Sequence, residues 1–171
     1  ATEANLTVLL NGRDTPAKLM SESLQTRLLD ALVACPNGVM RMSDAIPGVT
    51  ETSTNLGVIK TLEGEVYVQC LIRSLIDSGR ESVEQMTRSL FSLAGASCEF
   101  TGAYPGWAPN VDSPVMALVR SSYQTLFGEM PNVMVIHAGL ECGLFKSAYP
   151  DWDMVSFGPT IRGAHAPGEK V

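Results

Sequence analysis

His165 stands in Arg162-Gly-Ala-His165-Ala-Pro-Gly-Glu169, just beyond the apolar run Asp153-Met-Val-Ser-Phe157. A turn of this kind holds an imidazole outward from a strand end. In its neutral form that imidazole is a good zinc ligand, which Glu169 can orient or neighbour. His137 closes a second apolar run, Val133-Met-Val-Ile, and leads into Ala138-Gly-Leu-Glu141-Cys-Gly143. The chain has only 2 histidines, whereas a hydrolytic metal centre needs roughly three or more protein ligands per ion. The two turns therefore have the form of half an active-site edge. A lone loop histidine is more often solvated than metal-bound, and His137 reads first as a satisfied strand-end residue.

Arg73 ends the strand-like stretch that begins at Glu65, and its guanidinium can grip a carboxylate through two parallel hydrogen bonds. The alternative is a surface arginine paired with Asp77. Asn55 sits where its amide can donate to a substrate carbonyl or carboxylate, although asparagine near a strand start commonly serves a turn. Gly139 and Glu141 lie in the turn that leads into a short helix, which Glu141 can cap. Asp151 and Asp153 have no matching acidic partner nearby and read as structural. Ser156 and Cys142 lack a neighbouring base, so nucleophilic catalysis is unsupported.

These residues need elements to position them. A helix is predicted after Asp14-Thr-Pro, with Leu19, Leu24, Leu28, Leu29, Leu32 and Val33 as its stripe, and Cys35-Pro-Asn-Gly38 stops it. Val39-Met-Arg-Met42 reads as a short strand and residues 44–53 as a loop. Residues 55–62 and 65–73 alternate as a hairpin across Glu63-Gly64, and the second strand, apolar on both faces, reads as an inner one. A second helix begins near Ser78-Gly79, places Val83, Met86, Leu90 and Leu93 on one face, and ends at Ala94-Gly95. Residues 97–103 read as a further strand. Tyr104-Pro-Gly-Trp-Ala-Pro109 is a rigid connector and the expected boundary. Beyond it come a helix over 114–127, with Val115, Leu118, Val119, Tyr123 and Leu126 as its stripe, and strands at 133–137 and 153–157. A turn of helix over 140–145 separates those strands. The order gives an α+β half followed by one flank of an α/β domain.

Acidic residues outnumber basic ones 18 to 12 and no Lys/Arg run occurs, which argues against a nucleic-acid surface. The apolar runs fall far short of the roughly 20 residues that span a bilayer, and the N-terminal residues lack a secretory pattern, so neither membrane nor export is expected. Cys35, Cys70, Cys98 and Cys142 are widely spaced without a CxxC pair, which reads as free, mostly buried thiols in a reducing cytoplasm.

Taken together, Pro36-Asn-Gly-Val39, Glu51-Thr-Ser-Thr-Asn-Leu-Gly-Val-Ile59, Cys70-Leu-Ile-Arg-Ser-Leu-Ile-Asp-Ser-Gly79, Tyr104-Pro-Gly-Trp107, His137-Ala-Gly-Leu-Glu-Cys-Gly143 and residues 153–169 carry a family resemblance. In their types and order they resemble the aminoacyl-histidine dipeptidases of the di-zinc exopeptidase family that includes carboxypeptidase G, aminoacylase and carnosinase. The resemblance implies hydrolysis of Xaa-His dipeptides such as carnosine by a water held between two zinc ions, with a glutamate as general base. It assigns His165 as a zinc ligand, Arg73, Asn55 and Gly139 as substrate contacts, and no catalytic group to this chain. The family's terminal motif is of the His-Ser-Pro-Asp-Glu type, so Ala166 and Gly168 here lack a hydroxyl and a carboxylate. Residues 1–103 then correspond to the latter part of a lid and dimerisation domain and 104–171 to the returning part of the catalytic domain. The remaining ligands and the base are expected in an N-terminal half outside this sequence, so that the chain alone is expected to be inactive. A dipeptide substrate, a homodimer through the lid, and a cytoplasmic location follow as expectations. A non-catalytic interaction module is the competing reading.

Overall fold

The computed structural model describes residues 7–14, 16, 18–62, 64–108, 110, 112–135, 141–164 and 166–171. The first helix, α1 (Glu22–Ala34), starts later than its apolar pattern suggests. Ser21 is the reason: its hydroxyl accepts the Leu24 N–H at 3.3 Å, and Glu22 places a negative charge in the first turn. Leu19 and Met20 ahead of that cap are exposed and find no core to join. The face that packs inward is Leu28, Ala31, Leu32 and Cys35, while Leu29 and Val33 of the expected stripe face solvent. Pro36 prevents the helix from continuing.

Three antiparallel strands follow in the order β1 (Gly38–Met42), β2 (Thr50–Leu62) and β3 (Glu65–Ser74). The hairpin lies where expected, with Leu62 paired to Glu65 and Gly64 at φ +87°. Such a left-handed turn position suits glycine. Two other expectations are corrected. The loop is confined to the residues between β1 and β2, because Thr50 to Ser53 join the sheet: Thr52 pairs with both Arg41 and Ser74. Hydroxyl-rich sequence looks like loop, but threonine fits a pleated surface flanked on both sides. The inner strand is accordingly β2, and β3 lies at an edge among the described residues. Its two apolar faces have different causes. Val68 and Cys70 pack on helices, whereas Tyr67 and Leu71 remain about half exposed.

The helix α2 (Asp77–Leu93) packs on β2 and β3 and against α1, whose Ala31 and Cys35 reach the same face of the sheet. Its buried row is Val83, Thr87 and Phe91, an i, i+4, i+8 ridge, rather than the predicted row through Met86 and Leu93. Thr87 is accommodated because its hydroxyl donates to the Val83 carbonyl at 2.8 Å. The core centres on Ala31, Cys35 and Phe91, with Leu56, Val68, Cys70, Leu90, Ala94 and Cys98 packed around them. Gly95, at φ +79°, closes the helix end as predicted.

The connector is pressed against this unit. A Cβ on Gly106 would lie 2.5 Å from the Leu75 carbonyl oxygen, so only glycine lets the two backbones approach. The Gly106 N–H also donates to Asp77 Oδ1 at 3.2 Å. Beyond it lie α3 (Pro114–Phe127), within its expected bounds, and α4 (Glu141–Ala148), which replaces the single helical turn expected there. No strand forms over 97–103, 133–135 or 153–157 among the described residues. A strand needs a partner for its N–H and C=O groups, and among the described residues these stretches meet none. Past the connector only Ser113 and Gly143 are buried among the described residues, and Leu118, Leu126, Phe127 and Phe157 are largely exposed.

Candidate functional site

Directly opposed residues of an antiparallel pair share a face, and the face repeats every second residue. Ser53 pairs with Arg73 and Asn55 with Leu71, so these four form one patch on the side of the sheet away from α1 and α2. Asn55 and Arg73 stand on its diagonal, where neighbours are roughly 7–8 Å apart. Asn55 is exposed and Arg73 half-buried. Val39, paired with Ser53 across β1, extends the patch with apolar surface. Together the residues offer a cation and an amide at one end of an open, partly apolar sheet, a combination suited to a small ligand bearing a carboxylate.

Several local features hold this arrangement. Gly57 is the extra residue of a bulge between Leu56 and Val58. A Cβ there would lie 3.2 Å from the Asn55 amide nitrogen, so glycine leaves the amide its place. The Leu56 N–H, beside the bulge, donates to Asn37 Oδ1 at 2.9 Å. At the other end, Thr52 Oγ1 and Ser74 Oγ are 2.8 Å apart, the Ile76 N–H donates to Ser74 Oγ at 3.3 Å, and the Leu75 N–H donates to the Glu51 carbonyl at 2.9 Å. Residues 74–76, immediately after Arg73, are thereby tied to the inner strand. Arg41 joins β1 to the loop and to β2: it bonds Asp44 and brings its Nε 3.2 Å from Glu51 Oε1. That contact is an ion pair without hydrogen-bond alignment, since Glu51 Oε1 is buried with no hydrogen-bond donor. The Asp44 hydrogen bond and the charges of Glu51 and Asp44 raise the Arg41 pKa, so the guanidinium stays charged.

Ser53 was missed in the sequence because its surroundings read as loop, and its facing partner Arg73 is the signal that would have placed it. Asp77, the alternative partner considered for Arg73, accepts from Gly106 and lies 3.9 Å from Arg80. Gly139, His137 and His165 lie outside the described residues, so the sheet brings together two of the four predicted ligand residues. Among the described residues no group of three or more His, Cys, Asp or Glu side chains converges as a metal site. The described residues thus do not by themselves fit a zinc centre. Glu141 is the first residue of α4 and lies in its acidic first turn.

Asp153 is structural, as expected, and its task is specific. Its Oδ2 accepts the Val115 N–H at 2.9 Å, beside Ser113, whose hydroxyl accepts the Met116 N–H at 3.0 Å. The Val115 N–H above all, then the Ser113 hydroxyl, hold the Asp153 carboxyl below its ordinary pKa. Tyr149 stacks on Trp152 at 4.1 Å, and Lys146 donates to the Trp152 carbonyl at 2.8 Å, which fixes the approach of this segment. Two clefts border the connector and the first loop, one of about 320 Å³ lined by Asp77, Arg80, Tyr104 and Ser147, the other of about 370 Å³ lined by Ile46, Val49 and residues 133–135. Neither includes Asn55 or Arg73.

No family model matches the chain. It is 54% identical over 170 residues to the cytosol non-specific dipeptidase of Escherichia coli (strain K12), an alignment covering 99% of this chain and 35% of that protein. Its structure is similar to the crystal structure of aminoacylhistidine dipeptidase from Vibrio alginolyticus, with a TM-score of 0.81 and 60% identity, over 92% of this chain and 32% of the other. The chain spans about a third of the length of these relatives. The resemblance read from the sequence stands: the chain is similar to part of a dipeptidase, and its helices and three-stranded antiparallel sheet are the mixed α/β structure of such a part.

Proposed function

We propose that this chain is a segment of an aminoacyl-histidine dipeptidase that hydrolyses Xaa-His dipeptides such as carnosine, and that its contribution is to bind substrate. The observation that carries the reading is the common face of Asn55 and Arg73, in a chain similar along nearly its whole length to dipeptidases. In this reading Arg73 grips the free C-terminal carboxylate, a charge-assisted pairing that an internal peptide bond cannot offer, and Asn55 donates to the neighbouring substrate oxygen. Residues 1–103 act as the latter part of a lid and 104–171 as the returning part of the catalytic domain. The exposed apolar surface past the connector supports that division, because such surface is ordinarily covered by further protein.

Zinc belongs to the same proposal, with two ions in the complete enzyme and His165 as the one ligand this chain supplies. A homodimer formed through the lid and a cytoplasmic location, in keeping with the word cytosol in the name of the Escherichia coli relative, complete the reading. The test compares the 171-residue chain with the complete protein encoded by its source gene, each assayed with carnosine and with a leucyl dipeptide in the presence of zinc. The complete protein is expected to hydrolyse them and the chain alone to be inactive. Metal-dependent turnover by the chain alone would overturn the assignment of the catalytic groups to another part, and an inactive complete protein would overturn the function.

A further inference from the structure

Cys35 ends α1 and Cys70 lies within β3, and their Sγ atoms are 3.8 Å apart in the core beside Phe91. Cys35 is buried, whereas Cys70 is partly exposed. The two are distant in sequence, and it is the packing of α1 on the sheet that makes them neighbours. A disulfide requires the sulfurs at about 2.05 Å, so roughly 1.8 Å of approach remains, within the range of side-chain rotation. We propose that Cys35 and Cys70 form a reversible disulfide on exposure to a hydroperoxide, stapling the end of α1 to β3.

The step balances with the peroxide as oxidant. The Cys70 thiolate attacks one peroxide oxygen, an S–O bond forms as the O–O bond breaks, and the departing hydroxide takes up the proton that Cys70 released. The Cys35 sulfur then attacks the Cys70 sulfur, forming S–S and breaking S–O. The second hydroxide leaves with the Cys35 proton, so two thiols and one hydrogen peroxide yield one disulfide and two waters. Burial, followed by the neighbouring Cys35, pushes the Cys70 thiol up to about 11. Little thiolate is present at neutral pH, so the reaction is slow and the pair stays reduced unless oxidation is sustained. Cys98 is the competitor, since it packs on the same core with its Sγ 4.0 Å from the Thr87 carbonyl.

The experiment exposes the 171-residue chain to hydrogen peroxide, then alkylates it in denaturant and reads intact mass and peptide linkages. The expected result is loss of alkylation at two of the four thiols, a single peptide pair joining Cys35 to Cys70, and reversal by dithiothreitol. Cys98→Ser should leave that linkage intact and Cys35→Ser should abolish it, with circular dichroism establishing that each variant is folded. Linkage through Cys98 or Cys142, linkage between two chains, or sulfinic acid formation without linkage would each overturn the proposal. Chain denatured in urea before oxidation should lose the preference for the Cys35–Cys70 pair; retention of the preference there would also count against it.

Discussion

Thr52 and Ser74 share a hydrogen bond of 2.8 Å across β2 and β3, on the core side of the sheet one rung along from the pairing of Ser53 with Arg73. Thr52 is 2% exposed, and Gly79 of α2 approaches so closely that a Cβ there would fall 2.5 Å from Thr52 Oγ1. The hydroxyl pair therefore joins the inner strand, the edge strand and the first turn of α2 at one point. It sets where Arg73 leaves the sheet.

Two threonines on the same face should respond in opposite ways when their hydroxyls are removed. Thr52→Val strips Ser74 of a buried partner and is expected to cost about 1–3 kcal/mol. Thr54 Oγ1 is buried without a hydrogen-bond partner, so Thr54→Val should be neutral or stabilising. Urea denaturation of both variants checks this; an equal loss in the two would show that the Thr52–Ser74 bond does not discriminate them.

Asp153 gives an acid-side dependence of stability. Its folded pKa is lowered by the Val115 N–H and the Ser113 hydroxyl. Its contribution is therefore complete above the unfolded aspartate value of about 3.9 and is lost as pH falls through the folded value. Asp153→Asn should flatten the stability profile below about pH 4 relative to the parent. Denaturation midpoints measured across that range test it, and parallel profiles for the two proteins would reject the cause given. Ser113→Ala, which removes the companion cap, should cost about 1 kcal/mol at neutral pH.

Arg73→Ala in the complete enzyme is expected to lower kcat/KM for a dipeptide by roughly 10- to 150-fold, the loss of a charge-assisted contact worth about 1.5–3 kcal/mol. The loss should nearly vanish for the C-terminal amide of the same dipeptide. If acid and amide suffer equally, Arg73 positions the sheet and does not read the carboxylate. Arg73→Lys should recover only part of the activity, because an ammonium cannot make the parallel pair of bonds.

His165→Ala in the complete enzyme tests the metal assignment. Loss of a ligand should lower zinc per protein and nearly abolish turnover while leaving the cooperative unfolding of the core around Ala31, Cys35 and Phe91 unchanged. Elemental analysis read together with the hydrolysis rate decides it. Full zinc content with full activity would leave His165 as a solvated loop residue.

The sequence by itself determined the features that neighbouring residues settle among themselves. Glycine at position 64 turned the hairpin, Gly95 ended α2, and Ser113-Pro114 began α3, each through backbone preferences that act within a few residues. Local motifs in their order likewise carried the resemblance to a dipeptidase. Tertiary structure decided whatever depended on a distant partner. Ser53 became strand rather than loop because β1 and β3 flank it, β2 rather than β3 became the inner strand, and Asp153 found its role at the start of α3, far away in sequence. The stretches 97–103 and 153–157, expected as strands, form no ladder among the described residues. The physical reason is common to all of them: a turn or a cap is satisfied by adjacent residues, whereas a strand's backbone groups, and the face its side chains present, are fixed only by the chain that packs beside it.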